Sequence, residues 1–177
     1  HPLSIDFSWQ SSLSELDVPA ALRPVLSDAG SLTARLKQKS TDFKVVVLNE
    51  QPIKAKLFDG NVHDYICREV LLYCDDVPHV FARSLLPLSS LTGEQQQLAH
   101  LGTQSLGQVL FNHPDLLRKK IEVTAFNAQS SVANLVNYLA MPTHQQPLWG
   151  RRSVFVLDAK PLMVAEVFLP GAMAYLK

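Results

Sequence analysis

Short runs of apolar residues, some alternating with polar ones, recur along the chain after residue 42, and this pattern is typical of β-strands. The strands that it predicts are 43–48, 53–58, 65–74, 79–86, 119–126, 151–157 and 162–169. Between the third and fourth of them, Asp75-Asp76-Val77-Pro78 has the composition of a turn. These two strands should therefore form an antiparallel hairpin.

Helical patterns are confined to the start and the middle of the chain. The predicted helices are 20–28, 31–39, 92–101, 105–111 and 130–139. Pro24 weakens the first of these, whereas Ser31 is a suitable N-terminal cap for the second. Because the helices are grouped apart from the strands, we expect a single α+β domain over 1–177. Its sheet should be mostly antiparallel, with about six strands and with helices on one side.

The composition is that of a globular chain with a sizeable core. Hydrophobic residues make up 47% of the 177 residues, and 16 Lys and Arg balance 16 Asp and Glu. A general nucleic-acid-binding protein usually has a basic surplus, so the balance disfavours that class of partner. No polybasic run or acidic tail suggests contact with a membrane surface.

The two cysteines, Cys67 and Cys74, are too few for a disulfide framework, and the scattered histidines offer no zinc-ligand spacing. We therefore expect a reducing, cytoplasmic setting and no metal site. The N-terminus lacks a basic segment followed by an apolar run, so no signal peptide is expected. The apolar stretch 161–176 is too short to span a membrane and is interrupted by Glu166 and Pro170.

Three charged residues share strand faces with apolar side chains. Side chains alternate across a strand, so Arg68 lies in line with the aliphatic residues at 66, 70 and 72. Glu166 is the single charge of a strand that is apolar on both faces, and Arg83 shares its face with apolar neighbours. An ionised group is costly to bury without a partner. Arg68 and Glu166 therefore either form a buried ion pair, or lie at strand ends, or hold a small ligand with an acid group and a hydroxyl.

Two segments look like motifs without matching the chemistry. The glycines of Gly102-Thr-Gln-Ser-Leu-Gly107 have the spacing of a phosphate-binding loop, but Gln108 stands where that loop needs lysine. This segment is interpreted as a flexible turn between two helices. Arg151-Arg152 is either a phosphate-binding pair or a solvated basic pair at the start of a strand.

Three segments together resemble the chorismate lyase family. They are REVLLYCDDVPHVFARSLLP at 68–87, LGTQSLGQVLF at 101–111 and WGRRSVFVLDAKPLMVAEVFLP at 149–170. The likeness is weaker over the N-terminal helices. Members of this family, also called chorismate–pyruvate lyases, convert chorismate to 4-hydroxybenzoate and pyruvate, the first step of bacterial ubiquinone synthesis. The resemblance implies a six-stranded antiparallel sheet, a monomer without metal or organic cofactor, and an internal ligand site under helical flaps.

The resemblance also implies roles for individual residues. Arg68 and Glu166 become the predicted catalytic residues, because Arg68 would pair with the ring carboxylate and Glu166 would meet the 4-hydroxyl. The backbone at Leu106 would contact the carboxylate end, and Leu32 would line the pocket where relatives can carry Met. Arg83 is either a partner for the second carboxylate of chorismate, on its enolpyruvyl group, or part of a structural ion pair in the hairpin.

Several points stay open in the sequence. Glu166 can serve as a general acid, a general base or a positioning group. The alternative function is a non-catalytic domain of the same fold that senses an aromatic acid. Because the product keeps the carboxylate and the hydroxyl, we expect slow product release, controlled by the turn 102–107. The segment 127–146 is longer than the resemblance implies and is expected to add a surface helix.

Overall fold

β-strands make up most of the computed structural model, which describes Leu26 and residues 32–56, 60–91, 93–126, 148–157 and 159–170. The strands are β1 (Phe43–Ala55), β2 (His63–Cys74), β3 (Val77–Pro87), β4 (Leu117–Phe126), β5 (Leu148–Leu157) and β6 (Lys160–Phe168). The α-helices are α1 (Leu32–Lys39) and α2 (Leu106–Phe111). Two 3₁₀-helices occupy Leu88–Ser90 and Gly93–His100.

The six strands form one antiparallel sheet in the order β1-β2-β3-β6-β5-β4. The sheet consists of two three-stranded halves, β1-β2-β3 and β4-β5-β6, which are joined where β3 pairs with β6. The hairpin between β2 and β3 turns at Asp75 and Asp76, whose φ angles of 51° and 67° are typical of a type I′ turn. The predicted α+β fold with a six-stranded antiparallel sheet is confirmed.

One strand is longer than predicted. The two strands expected over 43–48 and 53–58 are the single strand β1, which pairs with β2 from Phe43 to Ala55 with an irregularity between Val47 and Asn49. Pro52 is tolerated because β1 lies at the edge of the sheet. The polar residues 49–51, just before Pro52, break the apolar pattern of the sequence, but the backbone of β1 stays paired with β2 there.

The helical predictions are confirmed in part. The helices expected over 31–39 and 105–111 are α1 and α2, whereas the segment expected to be helical over 92–101 is a 3₁₀-helix. Of the helix predicted over 20–28 only Leu26 is described, and the predicted helix 130–139 and the segment 127–146 lie outside the described residues. No helix within the described ranges is long and apolar enough to cross a membrane.

The helices cover one face of the sheet, which we call the inner face. Near α1, a buried apolar cluster includes Val70 and Ala82, and near α2 a second cluster includes Leu86 and Phe155. Inner side chains come from even positions of β2, β3 and β6 and from odd positions of β5, as the pleat of paired strands requires. The charged residues described below lie on this inner face among the apolar residues.

Candidate active site

A cavity lies on the inner face of the sheet, against α1 and α2. Leu32 of α1, predicted to line the pocket, and the α2 residues Leu106 and Leu110 are among its lining residues. The charged residues among its described lining are Arg68, Arg118, Arg151 and Glu166. An apolar pocket with a few convergent polar groups is the usual form of a small-molecule site.

The register of the strands sets the distance between Arg68 and Glu166. Arg68 in β2 pairs with Ser84 in β3, and Ser84 pairs with Val164 in β6. Glu166 lies two residues further along β6, so the two charged residues are two strands and one inner position apart. From the standard spacings of an antiparallel sheet, their Cα atoms are about 12 Å apart. Their side chains enter the same cavity.

Arg68 connects the sheet to the segment above the cavity. Its side chain is 2% exposed. Nη1 donates to the carbonyl oxygen of Gly102 at 2.9 Å, and Nη2 donates to that of Gln104 at 2.8 Å. Nη1 also donates to Oε2 of Glu50, on the edge strand β1, at 3.3 Å. The ion pair considered between Arg68 and Glu166 is not formed, because each residue has a different charged partner.

Glu166 forms a buried ion pair with Arg151. The two residues are paired between β6 and β5, and Nε of Arg151 donates to Oε1 of Glu166 at 2.8 Å. Because the side chains are only 1% and 8% exposed, this charge-assisted hydrogen bond is shielded from water. The interpretation of Arg151 as a solvated residue is therefore wrong. Its neighbour Arg152 points to the outer face and binds Glu122 there.

A third guanidinium, that of Arg118, lies on the β4 side of the cavity. Its Cζ atom is 4.7 Å from the ring centre of Phe155 and 5.6 Å from that of Phe111. The two rings meet edge to face at 5.7 Å. Cation–π contacts of this kind fix the orientation of an arginine without neutralising its charge.

Sequence reasoning missed Arg118 and Arg151 as cavity residues. A signal existed for Arg151, because alternation in the strand 151–157 places it on one face with Phe155 and Leu157. Arg118 lay just before the predicted strand 119–126, which began two residues later than β4 does.

Arg83 lies outside the cavity. It occupies an odd position of β3, which faces the outer side, and it is paired with Glu69 in β2 and Ala165 in β6. This position corrects the suggestion that Arg83 binds the second carboxylate, and it agrees with a structural role in the hairpin. Next to it, burial raises the pKa of the Cys67 thiol, and a hydrogen bond with Arg83 partly opposes that shift.

Residues 101–105, which we call the cover loop, join the second 3₁₀-helix to α2. Ser105 caps α2 by accepting a hydrogen bond from the amide of Gln108, and its Oγ lies 2.6 Å from Oγ1 of Thr33 on α1. Gly102 has a φ of +58°, a conformation that favours glycine. The cover loop is thus held by α1 on one side and by Arg68 from below. Gly107, expected to belong to the flexible turn, is instead part of α2.

The donors of the cavity suit a small organic acid. Guanidinium groups bind carboxylates through paired N–H donors, and three of them line the described part of this cavity beside one carboxylate. Among the residues that the structure describes, no three His, Cys, Asp or Glu side chains are grouped as a metal site would need. Fold and cavity therefore define an α+β protein with guanidinium groups and a carboxylate gathered on the inner face of its sheet.

Sequence comparison places this protein in a known family. The sequence model of the family "Chorismate lyase" matches residues 4–176, and the chain belongs to that family. A relative from Psychromonas ingrahamii, named "Probable chorismate pyruvate-lyase", is 40% identical over 99% of this chain and 96% of its own length. A relative of the same name from Pseudoalteromonas translucida is 40% identical over 98% of each chain. The predicted family is confirmed.

Two solved structures share the fold at low sequence identity. The effector domain of PhnF from Mycobacterium smegmatis has a TM-score of 0.53 at 14% identity, covering 80% of this chain and 89% of that one. The C-terminal domain of the histidine utilization repressor from Pseudomonas syringae pv. tomato has a TM-score of 0.55 at 13% identity, covering 73% and 92%. This likeness shows a common fold and no more.

Proposed function

We propose that the protein is a chorismate lyase, which converts chorismate to 4-hydroxybenzoate and pyruvate without a cofactor. The observation that carries this proposal is the placement of Arg68 and Glu166, two buried and oppositely charged side chains that enter one apolar cavity. Membership of the chorismate lyase family supports a lyase, and relatives at 40% identity carry the name chorismate pyruvate-lyase.

In this proposal Arg68 anchors the ring carboxylate of the substrate. Its planar fork matches a carboxylate in two hydrogen bonds. The cover-loop carbonyls that Arg68 binds lie close to Leu106 in the chain, and we propose that the backbone of Leu106 contacts the same carboxylate. Leu32 forms part of the apolar wall. Holding the ring between Arg68 and Glu166 fixes the reactive geometry, which is a large part of catalysis for a one-substrate elimination.

The reaction is an elimination that makes the ring aromatic. The bond between C3 and the ether oxygen breaks, and the proton on C4 leaves. The electron pair of the C4–H bond becomes the new ring π bond. The side chain departs as enolpyruvate, which takes up a proton on carbon and becomes pyruvate. Aromatisation drives the reaction downhill, so orientation and acid–base help suffice without a covalent intermediate.

We propose that Glu166 acts as a proton acceptor, and its ion pair with Arg151 supports this role. The guanidinium of Arg151 donates to Oε1 of Glu166, so the carboxyl group is engaged there as a hydrogen-bond acceptor rather than as a donor. Because Arg151 engages Oε1, we propose that Oε2 accepts from the 4-hydroxyl and takes up the proton from C4. Of the three roles considered for Glu166, this arrangement favours the general base.

The remaining expectations belong to the same proposal. We propose that the reaction serves ubiquinone synthesis in the cytoplasm and that the protein acts as a monomer. The alternative is a domain that binds an aromatic acid without converting it, and the fold shared with the repressor domain is its motivation. The two functions differ in one property, the turnover of chorismate.

A direct assay decides between them. The purified protein is mixed with chorismate, 4-hydroxybenzoate is followed by its absorbance, and pyruvate is measured with lactate dehydrogenase and NADH. We expect the two products in equal amounts. Tight binding of 4-hydroxybenzoate without conversion of chorismate supports the sensing domain, and neither binding nor conversion rejects both functions.

A further inference from the structure

The described lining of the cavity has more guanidinium groups than the proposed product has carboxylates. Among the described lining residues, three guanidinium groups accompany one carboxylate. Arg151 is bonded to Glu166, and Arg68 serves the ring carboxylate in the proposed function. 4-Hydroxybenzoate carries one carboxylate, whereas chorismate carries a second one on its enolpyruvyl group. Arg118 is thus a further guanidinium on the cavity wall, and the second carboxylate is the group of chorismate that 4-hydroxybenzoate lacks.

Arg118 lies at a third point of the cavity, away from the line between Arg68 and Glu166. It is paired with Phe155 in β5, and Phe155 is paired with Leu162 in β6, four residues before Glu166. Arg68 is on β2, in the other half of the sheet. The product has polar groups at opposite ends of its ring and needs two anchoring points. Chorismate has a further substituent at C3 and needs a third point to one side.

A buried hydroxyl on the inner face of β5 lacks a hydrogen-bond partner among the described residues. Ser153 is 0% exposed, and alternation in β5 places it on the inner face between Arg151 and Phe155, which both line the cavity. Its Oγ has no hydrogen-bond partner among the residues that the structure describes. Buried hydroxyl groups are almost always satisfied, so an orphan beside a cavity indicates a ligand or a water molecule as its partner.

We propose that Arg118, Ser153 and Phe155, which we call the third corner, bind the enolpyruvyl carboxylate of chorismate. This inference rests on the proposed function. The guanidinium of Arg118, oriented against the Phe155 ring, forms charge-assisted hydrogen bonds to the carboxylate, and Oγ of Ser153 donates a further bond. The third corner distinguishes the substrate from the product, which keeps no group there. It also receives the carboxylate of the departing pyruvate.

The substitution Arg118→Met tests whether the third corner binds the substrate but not the product, because it keeps the length of the side chain and removes its charge. We expect kcat/KM for chorismate to fall about 100-fold, as for the loss of one buried charge pair. The Kd of 4-hydroxybenzoate, measured by calorimetric titration, should change less than about threefold. Arg118→Lys keeps the charge without the fork and should recover part of the loss. Ser153→Ala should lower kcat/KM about tenfold or less, with unchanged thermal stability.

A stable analogue separates binding from turnover. The aromatic compound 3-(1-carboxyvinyloxy)-4-hydroxybenzoate carries both carboxylates and cannot eliminate. The wild-type protein should bind it more tightly than 4-hydroxybenzoate, and Arg118→Met should abolish that advantage. If Arg118→Met loses the same affinity for both ligands, or loses none for either, the proposed role of the third corner is wrong. A wild-type protein that binds the analogue but leaves chorismate intact overturns the proposed function, while the two Kd values still decide the role of Arg118.

Discussion

The two polar ends of the cavity are built differently. At one end, Arg68 binds the backbone carbonyls of the cover loop and Glu50 on the edge strand, whose side chain is 35% exposed. At the other end, Glu166 and Arg151 are paired between adjacent inner strands and are almost fully buried. The first end therefore depends on a segment outside the sheet, whereas the second belongs to the sheet itself.

In the proposed function, this difference gives the loop end the role of binding the ligand and the sheet end the role of catalysing the reaction. Paired strands in a core open only at a high free energy, whereas loops open locally at a low one. Glu166 is thus preorganised whether or not a ligand is present, and occupancy of Arg68 is coupled to the position of the cover loop. We expect variants at the sheet end to change the chemical step and variants at the loop end to change binding and release.

The largest expected effect is that of Glu166→Gln at the sheet end. The amide keeps the shape of the side chain but is a poor base, so turnover of chorismate should fall about 10²–10⁴-fold while the fold is retained. The matched control is Glu122→Gln, which alters the corresponding ion pair with Arg152 on the outer face. If Glu166→Gln turns over chorismate at the wild-type rate, Glu166 is not a general base and at most positions the ligand.

Removing the partner of Glu166 should affect folding as well as rate. Arg151→Met leaves a buried carboxylate without its cation, and such a loss costs about 3–5 kcal/mol of unfolding free energy. In the background of Glu166→Gln no buried carboxylate is left without a cation, so Arg151→Met should lower the free energy of unfolding much less. Urea unfolding of the four proteins gives the coupling. Independent, additive losses would mean that the ion pair does not determine the stability of this end.

At the loop end, Arg68→Ala should weaken binding more than it weakens the fold. We expect the affinity for 4-hydroxybenzoate to fall by about 2–5 kcal/mol. Amide hydrogen exchange in the cover loop should become faster, because the bonds to the carbonyls of Gly102 and Gln104 are lost. Glu50→Gln, which alters only the exposed partner, is the control and should stay near the wild type. Near wild-type affinity in a calorimetric titration of Arg68→Ala would reject its anchoring role.

A smaller effect is expected from the glycine of the cover loop. Gly102→Ala places a side chain at a φ of +58°, which costs about 1–2 kcal/mol in the closed conformation. Product dissociation should become about fivefold faster in a stopped-flow displacement experiment. Gly60→Ala is a matched control, because Gly60 also has a positive φ, +77°, outside the cavity lining. Equal product dissociation rates in the two variants would show that the cover loop does not control product release.

Gly107 is less suitable for this test, although its spacing from Gly102 in the sequence predicts a common hinge. It belongs to α2, and a Cβ atom there would lie 3.4 Å from Oγ1 of Thr33. The Cβ atom of Gly107→Ala would therefore be in ordinary van der Waals contact, and the substitution does not test the positive φ of the cover loop.

Alternation along single strands was sufficient to identify Arg68 and Glu166. Each is the only charge on an aliphatic strand face, so its burial follows from the strand alone. Alternation does not show which face of each strand meets the cavity. Arg83 and Arg151 both lie among apolar residues, and only the pairing of β3 and β5 with β6 places Arg151 inside and Arg83 outside.

The same limit applies to the partners of the site residues. The pairing of β3 with β6 joins segments about 80 residues apart, and no local pattern encodes it. The bonds from Arg68 to the cover loop depend on the path of a loop across the sheet, which composition does not determine. The hairpin of β2 and β3 was predictable, because its turn residues and both strands are neighbours in the sequence.

The smallest expected effect concerns Cys67, which is next to Arg68 in β2 but faces the outer side. Its thiol lies in the buried cluster of Tyr65, Leu85 and Met163, and burial raises its pKa. In the unfolded chain the thiol loses its proton at about pH 8.5, whereas in the folded protein it keeps the proton to a higher pH. Stability from this group is therefore complete below about pH 8 and declines as the pH rises, by at most about 1.4 kcal/mol per unit.

The substitution Cys67→Ala separates this outer-face effect from both ends of the cavity. Other groups titrate above pH 8, so the informative quantity is the difference in unfolding free energy between wild type and variant. That difference should shrink between about pH 7.5 and pH 10, because only the wild type loses the thiol contribution. The affinity for 4-hydroxybenzoate should be unchanged, because Cys67 points away from the inner face. A difference that stays constant with pH would show that burial of the thiol does not influence stability. A changed affinity would show that the outer face of β2 communicates with Arg68.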